Sequence, residues 1–154
     1  MALADAADLS LHGVAFARLS EGRVVARGTA TQLDYRRAGG RLIASNGNAT
    51  MVPEPGTGLA SFGAIHFTAP RIDGEVANRR GSAAGGVNVD TSRGDQVATE
   101  AVQYDGATVR SNSKVVAHGP GYRVQGNGMV AATDGSSVRL TSGVSGQLEM
   151  EARR

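Results

Sequence analysis

The sequence predicts an all-β fold for this chain of 154 residues, and three observations support that class. Apolar and polar residues alternate with a period of two over most of the chain, as they do in strands with one buried face. Glycine-rich turn signals separate these runs, and the chain contains 22 glycines. The runs also recur as hairpins. Many short strands with regular turns are typical of a sandwich, a barrel or a stack of hairpins.

The clearest alternation lies near the C-terminal end. From Val138 to Met150 the apolar residues occupy even positions, which predicts one strand with an apolar inner face. The same alternation predicts strands in earlier runs, at residues 29–35, 43–51, 65–69, 87–89, 102–104, 109–115 and 122–130. Residues 2–11 fit either a short helix that ends at Gly13 or a leader ahead of the sheet.

Turn signals mark where the predicted strands end. Asp-Gly pairs between strand-like runs are a strong hairpin signal, and they occur at residues 73–74, 105–106 and 134–135. Further glycine or proline clusters lie at residues 38–40, 53–56, 85–86 and 119–121, and residues 53–58 and 79–86 are predicted as exposed loops. Four strand–turn–strand units, at residues 30–45, 67–89, 101–111 and 129–140, indicate a quasi-linear stack of β-layers.

Composition weighs against several function classes. The net charge is +2, the basic residues are scattered, and aromatic residues make up 4% of the chain. A nucleic-acid binder needs a denser basic stripe or aromatic platforms for base stacking, so no nucleic-acid partner is predicted. The arginine doublets at 36–37, 79–80 and 153–154 are either solvated turn residues or contacts for anionic groups such as phosphate. Cysteine is absent, which excludes disulfides and thiolate chemistry.

No catalytic or metal-binding constellation is predicted. His12, His66 and His118 lie far apart in the sequence and lack the spacing of metal ligands. The Gly-x-Ser-x-Gly motif of a hydrolase nucleophile is missing. Residues 126–128, Gly-Asn-Gly, match a relaxed dinucleotide-binding loop, but no helix follows to meet the phosphates. These glycines instead predict a close approach of a strand or a ligand, or a bulge. We therefore expect no enzyme activity, no metal and no cofactor.

The second half of the chain carries a longer pattern. Residues 99–105, Thr-Glu-Ala-Val-Gln-Tyr-Asp, lead into Val109, Ser111 and Val115, and then into residues 126–128, Asp134, Leu140 and residues 144–146. This pattern resembles the LptC/OstA-like family of periplasmic lipopolysaccharide-export proteins, and it is most similar to the LptC branch. Lys114 departs from the family, which often has a proline before the valine. The resemblance extends over residues 14–150.

The resemblance implies a fold and a function. The expected fold is an open, twisted, antiparallel β-jellyroll at residues 14–150, after a leader at 1–13 and before a tail at 151–154. Its two sheets splay apart and leave an apolar groove that shields the acyl chains of lipopolysaccharide. Strand parity places nine residues in this groove: Phe67, Val89, Val102, Tyr104, Val115, Val124, Val130, Leu140 and Val144. Ordinary core packing is the alternative role for each of them.

The resemblance also implies partners and a location. Such a protein receives lipopolysaccharide from an inner-membrane ABC transporter (LptBFG-like) and passes it to an LptA-like bridge protein, with edge strands pairing between subunits. The edge candidates are Val14, Phe16, Val25, Val138, Leu140, Leu148 and Met150. The expected location is the periplasm, with anchorage to the inner membrane by an N-terminal helix outside this sequence. The alternatives are an LptA-type soluble bridge, or a β-solenoid assembly module that binds no lipid and associates with itself.

Overall fold

The computed structural model describes residues 8–53, 63–75, 77–132 and 137–148. Its strands form one antiparallel sheet that stays open, so the prediction of an open antiparallel all-β fold is confirmed. The strands are β1 Leu9–Ser20, β2 Arg23–Arg36, β3 Arg41–Met51, β4 Ile65–Glu75, β5 Arg80–Thr91, β6 Gln96–Tyr104, β7 Thr108–Ser111, β8 Val115–Gly119, β9 Tyr122–Gly126, β10 Met129–Ala132, β11 Val138–Leu140 and β12 Ser145–Leu148.

The sheet begins as a meander and ends as a fork. In the meander, each of the strands β1 to β6 pairs with the next one along the chain. β6 then divides between two neighbours, because residues 96–99 pair with β8 whereas residues 103–104 pair with β7. Beyond this fork, β9 and β12 extend the sheet from β8, and β10 and β11 extend it from β7. The sheet therefore ends as two separate branches.

The long strands bend along one line, which we call the corner. The β4–β5 register shifts there between residues 68 and 71, and the β5–β6 register shifts between residues 84 and 87. Such bulges bend a strand, and glycine adopts the positive φ angles that often accompany them without strain. Residues with positive φ lie on the same line, at Gly13, Asn46, Gly85, Gly86 and Gly143. The corner divides the sheet into two walls, and side chains from both walls line one cavity.

The two walls are defined by their pairing. The β8 wall consists of β8, β9, β12 and residues 14–30, 47–51, 65–69, 87–91 and 96–99 of the long strands. The β7 wall consists of β7, β10, β11 and residues 9–12, 32–45, 71–75, 80–84 and 101–104. Every long strand contributes one half to each wall.

The buried core is small and lies near the corner. Val87 and Val115 are the largest fully buried side chains among the described residues. Val87 belongs to a cluster with Ala69 and Ala83, against which three partly buried residues pack: Phe67, Ile72 and Val102. Toward the β1 edge of the sheet the apolar side chains are more exposed; Phe16 keeps 49% of its surface accessible. The core therefore does not fill the space between the walls.

The local hairpin predictions are confirmed. Tyr35 pairs with Leu42 in the first repeated unit, and Phe67 pairs with Val89 in the second. The third and fourth units pair Tyr104 with Val109 and residue 129 with residue 140. Turns also occur at residues 105–106 and 119–121, and residues 38–40 form a short 3-10 turn. The turn signal at 134–135 and most of the one at 53–56 lie outside the described residues.

Two predicted turns are wrong because they lie inside long strands. Asp73 and Gly74 belong to β4, where they pair with Ser82 and Gly81 of β5. Gly85 and its neighbour belong to β5 and form its bulge at the corner. The turn between β4 and β5 includes residues 77–79 instead, so most of the loop predicted at 79–86 is strand. At both places the glycine lies within a strand, in one case at a bulge, and does not end the strand.

The predictions for the two ends of the domain also need correction. The strand predicted from Val138 to Met150 is interrupted at residues 141–144, and its two parts pair with different branches, β11 with β10 and β12 with β9. Val138 and Val144 are 59% and 56% exposed, so their shared parity does not mark a buried face. Met150 lies outside the described residues. At the other end, β1 begins at Leu9, so residues 9–13 are strand and belong neither to a helix nor to a leader.

Candidate ligand-binding cavity

A cavity of about 440 Å³ lies between the two walls. The β8 wall contributes Phe67, Val87, Val89, Val97 and Thr99. The β7 wall contributes Ile72, Ala83, Val102, Tyr104, Val109 and Met129, together with the rim residues Asp73, Gly74, Arg80, Gly81 and Ser82. All the large side chains from both walls, apart from those of the rim, are apolar or aromatic. The arrangement suits an apolar ligand, since ligand pockets are concave and mostly apolar.

Strand register explains why these side chains converge. Residues directly opposite each other in paired strands point to the same face. On the β8 wall this produces one row that runs across the strands through Ala49, Phe67, Val89, Val97, Ala117 and Val124. On the β7 wall the matching row runs through Leu11, Leu33, Ala44, Ile72, Ala83 and Val102. Each wall thus presents a continuous apolar row to the space between them.

The structure brings four of the nine predicted groove residues together. Phe67, Val89, Val102 and Tyr104 line the cavity, with the first two on one wall and the last two on the other. Val124 lies in the same row as Phe67 and Val89, toward the β12 edge.

The other four predicted groove residues do not line the cavity. Val115 pairs with the cavity residue Thr99 but is fully buried at the corner. Leu140 pairs with the cavity residue Met129, so it lies on the same inward face, and it packs against Gly126, where an added Cβ would lie 3.1 Å from the Leu140 Cβ. Val130 pairs with Arg110 and Arg139, which places it on the face of the β7 wall opposite the cavity. Val144 lies between strands and is exposed.

The sequence prediction also missed residues that line the cavity. Met129 occupies the inward position next to the predicted Val130 and is 9% exposed. Val87, Val97, Ile72 and Ala83 also line the cavity and were not among the predicted residues. The sequence contains a usable signal. The apolar residues that point inward occupy odd positions before Pro70 in β4 and before the fork in β6, and even positions after them. The prediction assigned one parity to each run and therefore missed this change.

A buried polar contact holds the fork next to the cavity. The hydroxyls of Thr99 and Ser111 lie 2.7 Å apart, and the Thr99 hydroxyl donates to the carbonyl of Lys114 at 3.0 Å. The Ser111 hydroxyl also accepts a hydrogen bond from the backbone N–H of Ser113 at 3.2 Å. Buried polar groups need such partners. Thr99 and Ser111 belong to the family-like pattern, and the contact shows that both have a structural role where β6 separates from β7 and β8.

Hydrogen bonds also join two turns at the free end of the β8 wall. The Tyr122 hydroxyl donates to Asp95 at 2.6 Å, and the Thr91 hydroxyl donates to the other oxygen of the same carboxylate at 3.0 Å. Burial, together with this hydrogen bond to the carboxylate, raises the pKa of Tyr122 to about 12. The β5–β6 and β8–β9 turns are therefore held together across the end of the wall.

A second depression, of about 800 Å³, lies on the outer face of the β7 wall, and we call it the charged groove. Its charged side chains are Arg41, Asp73, Glu75, Arg80, Asp105 and Arg110. Arg41 binds Asp73 through two hydrogen bonds, Nε to Oδ1 at 2.9 Å and Nη2 to Oδ2 at 2.5 Å. The hydrogen bonding from Arg41 holds the pKa of Asp73 below its usual value.

Replacing Asp73 by asparagine tests this ion pair through its pH dependence. A lowered pKa means that the carboxylate stabilises the folded state at neutral pH, and that this contribution is lost as the pH falls through the lowered pKa. Because the Arg41 side chain is 42% exposed, we expect a loss of less than about 1 kcal/mol at pH 7. Urea unfolding should show this difference shrinking between about pH 5 and about pH 2. An unchanged difference over that range would contradict the assigned role.

The predicted edge residues divide into three groups. Val14 and Phe16 lie in β1, which pairs only with β2 among the described strands, and Val138 and Leu140 lie in β11, which pairs only with β10. Leu148 lies in β12, the end strand of the other branch. Val25 lies in β2, between β1 and β3, so its assignment to an edge is wrong. Met150 is outside the described residues.

Other candidate features carry no site in the described part of the chain. Among those residues, no group of three or more His, Asp or Glu side chains could hold a metal ion. The described residues also include no helix that is long and apolar enough to span a membrane. The close approach predicted at residues 126–128 is confirmed, because a Cβ added at Gly128 would lie 2.3 Å from the Thr141 hydroxyl.

No protein-family model matches the chain, and no curated protein matches it either.

Proposed function

We propose that this chain is a periplasmic lipid-transfer scaffold that shields the acyl chains of lipopolysaccharide between its two walls. The resemblance to the lipopolysaccharide-export family suggests this ligand, and the apolar cavity between the walls is the observation that carries the proposal. The scaffold takes lipopolysaccharide from an inner-membrane ABC transporter and passes it to a bridge protein. It acts without chemistry, by keeping hydrocarbon out of water.

The cavity is large enough to make this shielding significant. Burying one methylene group stabilises a complex by about 0.8 kcal/mol, so six buried methylenes contribute about 5 kcal/mol before the cost of ordering the chain. The apolar rows of both walls also continue past the cavity toward β1, where Leu11 and Phe16 are 41% and 49% exposed. An acyl chain that lies along these rows covers apolar surface that the small core leaves accessible.

Edge strands supply the route by which such a scaffold contacts its neighbours. The rows run across the strands, so they reach the β1 edge at one end and the β11 and β12 edges at the other. A partner strand that pairs with β1 or with these end strands would extend the walls and their apolar rows. The two partners in this proposal are the transporter and a bridge protein.

Self-association is the second candidate function, and the exposed side chains of β1 favour it. Leu9, Phe16 and Leu19 are 51%, 49% and 65% exposed on this edge strand. Exposed apolar edges are prone to pair with other chains. An assembly module of this kind would form concentration-dependent oligomers and would leave the cavity without lipid.

Crosslinking from inside the cavity tests the lipid-transfer proposal. A photo-crosslinking amino acid at position 102 replaces a valine that lines the cavity, so we expect it to capture lipopolysaccharide. The matched control is position 116, a valine on the outer face of the β8 wall, and it should capture little or none. Mass spectrometry of the crosslinked protein measures both. Equal capture at both positions, or capture at position 116 alone, would rule out the cavity as the lipid site.

A further inference from the structure

We infer that the charged groove on the outer face of the β7 wall is a headgroup subsite, which takes an anionic and hydroxyl-bearing lipid headgroup such as a phosphorylated sugar. The inference rests on the proposed function, because it assumes that the acyl chains of the same lipid occupy the cavity. It adds the position and the chemistry of the polar end of the ligand.

The first support is that the cavity and the charged groove adjoin. They share the residues Asp73, Gly74, Arg80, Gly81, Ser82 and Tyr104, at the end of the wall where β4 turns into β5. Gly74 and Gly81 pair with each other at this end, and neither carries a side chain. At this pair, therefore, no side chain stands between the apolar cavity and the polar surface. An amphiphile can keep its tails inside and lay its headgroup over this end.

The second support is the set of charges around the groove. Arg80 and Arg110 form no salt bridge with the described residues, and both are exposed. Arg80 lines the cavity as well as the groove. A guanidinium group binds phosphate or carboxylate oxygens through two parallel hydrogen bonds, so these two arginines can hold an anionic substituent.

The carboxylates of the groove narrow the ligand class further. Glu75 and Asp105 line the same groove as the two arginines. Asp105 already accepts hydrogen bonds from the Thr108 backbone at 2.8 Å and from the Thr108 hydroxyl, and Glu75 accepts one from Asn78 at 2.8 Å. Carboxylates repel a bare phosphate but accept hydrogen bonds from hydroxyl groups. The mixture of charges therefore suits a sugar that carries both hydroxyl and phosphate groups better than it suits inorganic phosphate.

Three ligands distinguish binding at this subsite from binding in the cavity. Phenylnaphthylamine is a neutral apolar fluorophore and reports on the cavity alone. A diphosphorylated glucosamine lipid and its dephosphorylated form, with the same acyl chains, compete with it and differ only in the headgroup. For the wild-type chain we expect the phosphorylated lipid to compete at a concentration at least about tenfold lower, because a charged hydrogen bond contributes about 1.5 kcal/mol or more. Inorganic phosphate at millimolar concentration should displace nothing.

The double variant Arg80→Gln/Arg110→Gln tests the assigned residues. It should lose the preference for the phosphorylated lipid, so that both lipids compete equally, while thermal stability stays unchanged. The single variant Arg110→Gln changes a residue that lines the groove but not the cavity, so it should lower the preference while fluorophore binding stays unchanged. Arg123→Gln is the matched control, because Arg123 is an exposed arginine on the outer face of the other wall. This control should keep the preference.

The outcomes distinguish the subsite from the proposed function. If the wild-type chain does not bind the fluorophore, the cavity proposal fails and the subsite fails with it. If the fluorophore binds but the two lipids compete equally, or if the double variant keeps the preference, the subsite is wrong and the cavity proposal stands. Displacement of the phosphorylated lipid by inorganic phosphate would also overturn the subsite, since it would indicate a site for free phosphate.

Discussion

Replacing Val115 by aspartate is expected to unfold the domain. Val115 is 0% exposed, and it begins β8 at the fork, where it pairs with Thr99 on one side and Gly126 on the other. An unpaired carboxylate at this position loses its hydration without gaining a partner, which costs several kcal/mol. That cost is comparable to the whole stability of a domain of this size, about 5 to 15 kcal/mol. Circular dichroism and urea unfolding measure the loss.

The next residue along the strand supplies the control for this substitution. Val116 points to the opposite face of the β8 wall, where it lines a depression of about 430 Å³ together with His118 and Arg123. A carboxylate at position 116 therefore stays in contact with water and close to basic groups. We expect Val116→Asp to change the free energy of unfolding by less than about 1 kcal/mol. If both variants lost the same stability, the inward orientation of Val115 would be wrong.

Replacing Gly28 by valine is expected to produce the second large effect. A Cβ added at Gly28 would lie 2.2 Å from the backbone oxygen of Asn48 and 2.4 Å from the Cζ atom of the Phe16 ring. Both distances are far below van der Waals contact, and the backbone oxygen cannot move without breaking the pairing between β2 and β3. Overpacking of this kind costs about 3 kcal/mol or more. The midpoint of urea unfolding should fall accordingly.

Gly74→Val is the matched control for the overpacked glycine. Gly74 also lies in a strand and lacks a positive φ, but the nearest heavy atom to an added Cβ there is the backbone oxygen of Arg80, at an ordinary contact distance of 3.7 Å. Valine is favoured in strands, whereas glycine weakens them. The control should therefore fold with unchanged or slightly higher stability. Equal losses at Gly28 and Gly74 would point to a general intolerance of side chains and not to a clash with Asn48 and Phe16.

Features that depend on neighbouring residues were predictable from the sequence. The four hairpins were predicted correctly because each joins segments close in sequence, and the glycine turns at residues 105–106 and 119–121 lie where the patterns indicate. Phe67, Val89, Val102 and Tyr104 were placed correctly because each lies in a run whose parity stays constant on its own side of the corner.

Features that depend on the corner were not predictable from a single parity. At the corner the alternation of inward-facing and outward-facing residues shifts by one position. The inward-facing residues are therefore at odd positions before the corner, such as Phe67 in β4 and Val97 in β6, and at even positions after it, such as Ile72 and Val102. Val130 was chosen over Met129 for this reason. The same limit explains the C-terminal error. Ser142 and Gly143 are a local turn signal within the alternating run, but which wall the chain then joins depends on the distant partners β10 and β9.

Because β6 pairs with two different strands, the two edges of the sheet differ from each other. At one end the sheet offers the backbone of a single bent strand of 12 residues, β1, whereas at the other end it offers two separate strands of 3 and 4 residues, β11 and β12. These ends are not interchangeable. A neighbour that docks on β1 can pair with one continuous strand. A neighbour on the far side must pair with two short strands at once, and such pairing would hold the two branches together. Any string of such units would have a direction, and its weakest joint would lie at the forked side.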